Sequence, residues 1–176
     1  MNYILSVLLL VFGMSSTMLF DFNSSSSMKN WKVVNDGVMG GLSKGSFVLN
    51  AEGHAEFKGR VSLDNNGGFT SIRYDFDKMN IDKKTMIKIR LKGDGKDYQF
   101  RIRANSRDYY SYITTFSTSG KWQDIEIKLA DLYPSYRGRK LDLPNFSSSY
   151  MEGITFLIAN KKAEDFKLVL DEISLN

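Results

Sequence analysis

The chain of 176 residues has no cysteine, one histidine and two prolines. Without cysteine there is no disulfide, no thiolate nucleophile and no sulfur-ligated zinc. The lone histidine, His54, stands in the run His54-Ala55-Glu56-Phe57 beside a glycine turn and reads as a solvated strand-end residue. One base in the whole chain is a poor start for nucleophilic catalysis or a zinc site. Charge of one sign is also scarce: 24 Lys and Arg against 20 Asp and Glu leave a net charge of +4, spread too evenly to mark a nucleic-acid binder. The oxygen-rich stretch Asp64-Asn65-Asn66 fits no EF-hand spacing, and the acids Asp64, Asp94, Asp97 and Asp124 fall in turns or on polar strand faces. No metal, cofactor or catalytic residue is assigned.

Long apolar runs are limited to one, residues 4–14 (ILSVLLLVFGM), which is of signal-peptide length and short for a bilayer span. Small residues follow it, so residues 1–16 read as an export signal and residues 17–176 as one domain. That places the domain outside the cytoplasm, or tethered to the membrane if the signal is retained.

The rest of the chain alternates with period two. Ile87, Ile89 and Leu91 oppose Lys88, Arg90 and Lys92; Tyr98, Phe100 and Ile102 oppose Gln99, Arg101 and Arg103; Ile125, Ile127 and Leu129 oppose Asp124, Glu126 and Lys128. Helices need apolar spacings of three and four, which these runs lack. Further strands are predicted over 46–50, 54–61, 69–76, 109–117, 154–158 and 166–175, with a helical turn at 130–133 ended by Pro134. About ten short strands without a convincing helix predict an all-β sandwich or barrel.

Glycine loops supply the candidate binding residues. Residues 31–43 hold Asp36 followed by Gly37, Gly40 and Gly41; a second pair, Gly67-Gly68, precedes Arg73; a third loop, Gly93-Asp94-Gly95, leads to Tyr98. Such loops allow close backbone approach and positive φ. Asp36 reads first as a residue that holds backbone amides, with Trp31 behind it and Val38 and Met39 tucked into the sandwich end; a ligand contact is the competing reading. Arg73, Arg101 and Arg103 line one basic groove with Gln99 if their strands share a sheet, and guanidinium groups favour carboxylate or phosphate. Arg137 and Arg139, flanked by Tyr133 and Tyr136, suit an exposed partner-facing rim. Tyr109, Tyr110, Tyr112, Trp122, Tyr133 and Tyr136 are the aromatics available for a sugar platform.

The runs WKVVNDGVMGGLSKGSF, FKGRVSLDNNGGFTSIRYDF, IRLKGDGKDYQFRIR and YRGRKL, with Trp122 and the terminal FKLVLDEI, resemble the complex I intermediate-associated protein 30 family from about Met18 to Leu175. The resemblance implies a galactose-binding-like jelly-roll β-sandwich and a non-enzymatic role. Mitochondrial members act as assembly chaperones for NADH:ubiquinone oxidoreductase, and the fold is related to carbohydrate-binding modules. The expected partner is therefore a protein, a subunit of a respiratory or other envelope complex, with a glycan or small ligand as the alternative. Nucleic acid is not expected, and membrane association is expected only through the partner or an uncleaved N-terminus.

Overall fold

Alternation of apolar and polar residues can satisfy a chain of this length only if two sheets turn their apolar faces to each other. The computed structural model describes residues 16–82 and 84–176 and shows that arrangement. Its strands are β1 (Thr17–Asp21), β2 (Trp31–Asn35), β3 (Lys44–Leu49), β4 (Ala55–Val61), β5 (Thr70–Asn80), β6 (Met86–Lys92), β7 (Asp97–Arg103), β8 (Ser111–Ser117), β9 (Trp122–Lys128), β10 (Tyr133–Tyr136), β11 (Arg139–Lys140), β12 (Tyr150–Ile158) and β13 (Glu164–Leu175). One sheet runs β3-β4-β13-β6-β9, with β1 also paired to β13; the other runs β11-β10-β8-β7-β12-β5-β2. All pairings are antiparallel. The all-β jelly-roll sandwich expected from the sequence is the fold observed.

The core is the sum of the inward faces. Phe57, Ile87, Ile89, Leu91, Leu168 and Leu170 come from the six-stranded sheet, and Ile72, Phe100, Ile102, Ile154 and Phe156 from the seven-stranded one. Each such side chain contributes about 1.5–3 kcal/mol by leaving water. Phe100 meets Phe156 edge-on at 5.3 Å, and Phe57 meets Phe166 at 4.7 Å. Phe20, Phe22, Trp31, Phe47 and Tyr74 form a second aromatic group, in which Trp31 stacks on Tyr74 at 4.9 Å.

Four strands, β1, β2, β10 and β11, go beyond those predicted from the sequence. Residues 31–35 form β2, although the glycine run after them makes the whole stretch look like loop. The helical turn predicted at 130–133 is a 3-10 turn over Leu129–Asp131, after which Pro134 enters β10 instead of ending an element. A proline is tolerated there because β10 lies next to the sheet edge, covered only by the two residues of β11. The apolar run 4–14 lies outside the described residues. No helix among the described residues is long and apolar enough to cross a membrane.

Gly59 of β4 lies where β3 crosses closely. A Cβ there would run into the Lys44 carbonyl oxygen and come within 2.9 Å of Gly45 Cα. Backbone cannot rotate away as a side chain can, so Gly59→Ala is expected to destabilise the domain by about 1–3 kcal/mol through the β3–β4 pairing. A urea or thermal melt measures it, and an unchanged midpoint would contradict the packing described.

Candidate functional site

At the end of β2 the chain makes a 3-10 turn, Asp36–Met39, closed by Gly40 at φ 85°. The Asp36 carboxylate points inward, 5% exposed, and takes four donors. Ser43 N–H reaches Oδ1 at 3.1 Å; the Ser43 hydroxyl, Gly68 N–H and Phe69 N–H reach Oδ2 at 2.5, 2.7 and 3.3 Å. The same hydroxyl accepts from Ser62 N–H at 3.0 Å. Next to it, Asn35 Oδ1 accepts from Gly45 N–H at 3.1 Å and from the Thr70 hydroxyl at 2.5 Å. Gly41 is packed so tightly against Asp36 that a Cβ would overlap the carboxylate. Burial alone would raise the Asp36 carboxyl; the bonds from Ser43, Gly68 and Phe69 outweigh it and hold the group below the usual range. Asp36, with Gly41 packed against it, thus forms a tie between loops whose carboxylate is turned away from solvent, while Gly40 beside it is exposed. The side chains of Val38 and Met39 lie outside the described ones.

Sequence reading assigns this chain no nucleophile elbow, yet Gly41-Leu42-Ser43-Lys44-Gly45 spells the G-x-S-x-G spacing. Ser43 is 4% exposed, its hydroxyl is committed to Asp36 and Ser62, and a strand follows it in place of a helix. It is part of the tie.

The arginines behave differently. β5 and β7 are not direct neighbours, because β12 lies between them. Register nevertheless aligns Arg73 and Arg101 on either side of Thr155, and continues the row to Lys32 at one end and to Ile113 and Tyr133 at the other. Arg103 and Asp75 flank Gly153 one step along the strands, and Ser71, Leu157 and Gln99 align one step the other way. This is the outward face of the seven-stranded sheet, yet Leu157 is 6% exposed and Ile113 3%. A recessed floor lies under the guanidinium groups.

Their partners are few. Arg103 bonds Asp75 at 2.9 Å and the Ser106 carbonyl at 3.3 Å; Lys32 lies 3.7 Å from Asp75. Arg101 donates through Nε and Nη2 to one neutral oxygen, Gln99 Oε1, at 3.2 and 2.6 Å. Arg73 Nε is buried and bonds to nothing. Burial is the main force lowering both the Arg73 and Arg101 guanidinium values, with repulsion from Arg103 on the first and from Arg73 on the second adding to it. Nearby Asp75 opposes the shift at Arg73; arginine stays protonated regardless, so both groups hold their positive charge at partly buried positions.

Tyr98 lies elsewhere. It is 1% exposed in the core, its hydroxyl donating to Asp94 Oδ1 at 2.9 Å, and does not border this face. Arg137 and Arg139 are exposed on the β10–β11 hairpin, where Arg137 adopts φ 47° and lies 5.3 Å from the Tyr136 ring. Tyr136, Tyr109, Tyr110 and Tyr112 continue from it as an edge-to-face chain along the sheet margin. Trp122 belongs to the other sheet, against His54 at 4.8 Å. Of the platform aromatics only Tyr133 joins the arginine row. Thr155, which centres that row, carries no signal in the sequence: it sits inside an apolar run. Among the described residues no three His, Asp or Glu side chains gather as a metal site would require.

The fold is that of a galactose-binding-like jelly-roll β-sandwich. The chain belongs to the Complex I intermediate-associated protein 30 (CIA30) family, whose pattern it matches over residues 20–170. No curated protein matches it significantly. Among solved structures it is similar to a family 11 carbohydrate-binding module of a cellulosomal cellulase from Clostridium thermocellum, at 20% identity and TM-score 0.70 over 93% of this chain and 95% of that one. The Clostridium thermocellum family 11 module in complex with a β-1,3-1,4-mixed-linked tetrasaccharide gives 20% identity and TM-score 0.68, covering 91% and 94%. A family 29 module is similar at 11% identity and TM-score 0.53, covering 92% and 91%. These likenesses establish the shared fold.

Asp36→Ala strands the amides of Ser43, Gly68 and Phe69 and is expected to cost about 1–3 kcal/mol. The carboxyl's native value is depressed, so its contribution is complete above the unfolded value of about 3.9 and is lost as pH falls through the lower native value. Urea melts of both proteins at pH 7 and below pH 3 should therefore differ clearly at the first and converge toward the second. An unchanged midpoint at pH 7 would remove the structural role of Asp36.

Proposed function

We propose that the domain is a non-catalytic binding protein that holds a protein partner against the outward face of its seven-stranded sheet, in the manner of an assembly factor. The row Lys32, Arg73, Thr155, Arg101, Ile113 and Tyr133 carries this reading. It offers a recessed, donor-rich strip with an apolar floor, which is what an anchoring surface for another polypeptide needs. Membership of a family named for complex I intermediates supports a protein occupant. With a cleaved export signal, that occupant would be an envelope or respiratory-complex subunit met from outside the cytoplasm.

A glycan is the second reading. Its support is the likeness to carbohydrate-binding modules and the presence on one face of Tyr133, Thr155 and Gln99, a ring, a hydroxyl and an amide suited to a sugar. Against it stands the scarcity of flat aromatic faces: one tyrosine on the row, the others packed edge to face at the margin.

A photo-crosslinking residue in place of Thr115, exposed on the same face opposite Gln99, tests the reading in native membranes. A defined protein adduct is expected; no adduct, together with retention on a glycan array, would replace the protein reading by the sugar one. In the same assay Arg137→Ala with Arg139→Ala is expected to reduce capture several-fold while leaving the melting temperature unchanged, because both side chains are exposed at the rim. A large fall in melting temperature would instead make Arg137 a structural pin of the hairpin.

A further inference from the structure

We infer that the arginine face is a carboxylate-reading site, and that Arg73, Arg101 and Arg103 together grip an acidic stretch of the partner, with two carboxylates set two or three residues apart. The identity of the occupant as a polypeptide rests on the function proposed above; the preference for carboxylate rests on the charges and donors of the face itself.

The two outward faces of the sandwich carry different charge patterns. On the six-stranded sheet five of the cations are paired directly. Lys58 and Lys167 both bind Glu56, Lys88 and Arg90 both bind Asp124, and Arg60 binds Asp165. On the seven-stranded sheet Lys32, Arg73, Arg101 and Arg103 share one carboxylate, Asp75, already engaged by Arg103 and Lys32. A guanidinium has five N–H donors. Arg101 spends two on a single amide oxygen, and the buried Nε of Arg73 finds no acceptor. Half-buried positive charge without acceptors is costly for a fold to keep, and a bidentate carboxylate is the group that removes the cost.

Geometry narrows the ligand further. Arg73 and Arg101 stand two strands apart across Thr155, so their backbones are separated by roughly 10 Å. An extended peptide advances about 3.3 Å per residue, so acidic side chains two or three residues apart stand about 7–10 Å from each other, within reach of both long guanidinium side chains. Thr155 lies between the arginines with Leu157 one step along, where the intervening residues of such a peptide would rest, and Ile113 and Tyr133 continue the strip beyond Arg101.

The probe is a rhodamine-labelled hexaglutamate peptide, followed by fluorescence anisotropy with the full chain. Binding that weakens steeply with added salt is expected, with none for hexaglutamine. Arg73→Gln and Arg101→Gln should each weaken it at least about tenfold. Arg73→Lys, which keeps charge and bulk, should still lose several-fold because the planar fork is gone. Absence of hexaglutamate binding at low salt, or binding indifferent to these substitutions in variants that melt normally, overturns the inference. Tighter binding of an oligogalacturonate than of hexaglutamate overturns the polypeptide and makes the occupant an acidic glycan. If hexaglutamate binds but Thr115 captures no protein, the carboxylate site stands and the assembly reading falls. If Thr115 captures a protein that hexaglutamate cannot displace, the assembly reading stands and the carboxylate site falls.

Discussion

The carboxylate of Asp36 is the constraint on which the arginine-bearing sheet face depends. It leaves the end of β2 in one sheet, takes the amide that opens β3 in the other, and takes the two amides that precede β5. Through Ser43 it reaches the segment just after β4 as well. Asn35, one residue earlier, repeats the pattern with Gly45 and Thr70. Buried donors left without acceptors are expensive, so these bonds leave the four segments little freedom to slide. Since β5 starts at Thr70 and carries Arg73, a shift of one residue there would turn Arg73 inward and Ile72 outward. The position of the arginine row is therefore secured about three residues away, by groups that never touch a ligand.

Pairing of charges separates the two sides of the molecule. On the six-stranded sheet Glu56 and Asp124 each gather two cations, so these charges have a carboxylate in contact. Hydrogen bonds from Lys167 and Lys58 hold the Glu56 carboxyl below its usual range against the opposing effect of burial, as a satisfied acid behaves. Burial, with repulsion from a neighbouring arginine, lowers the Arg73 and Arg101 values instead. Both faces have the alternating sequence of an ordinary half-exposed strand, and only pairing across strands tells them apart.

That difference explains what was legible beforehand. The all-β sandwich follows from alternation, because β6, β7 and β9 write their inward faces as Ile, Leu, Tyr and Phe at every second position. Asp36 was legible as a structural residue from its glycines, since a short acid among them has amides within reach. Arg73, Arg101 and Arg103 were legible as one face only conditionally: each strand shows its own parity, whereas adjacency is a long-range property. The intervening β12 was unreadable as part of a polar face, because Thr155 is flanked by Ile154 and Phe156. Tyr98 misled for the opposite reason. Its loop looked like a ligand loop, but its position in the period belongs to the core, where burial and Asp94 raise its phenol far above the ordinary value.

The last strand, β13, is also the central one. It pairs with β4 through its first half, with β6 through its second, and with β1 at its end, where Thr17 faces Leu175. A growing chain therefore holds β1, β4 and β6 without their common neighbour until Glu164–Leu175 are made. Contacts so distant in sequence close late and against a loop-closure cost, so the six-stranded sheet cannot form progressively from the N-terminus. Until β13 is in place, β1, β4 and β6 each present an open strand edge to the wrong partners.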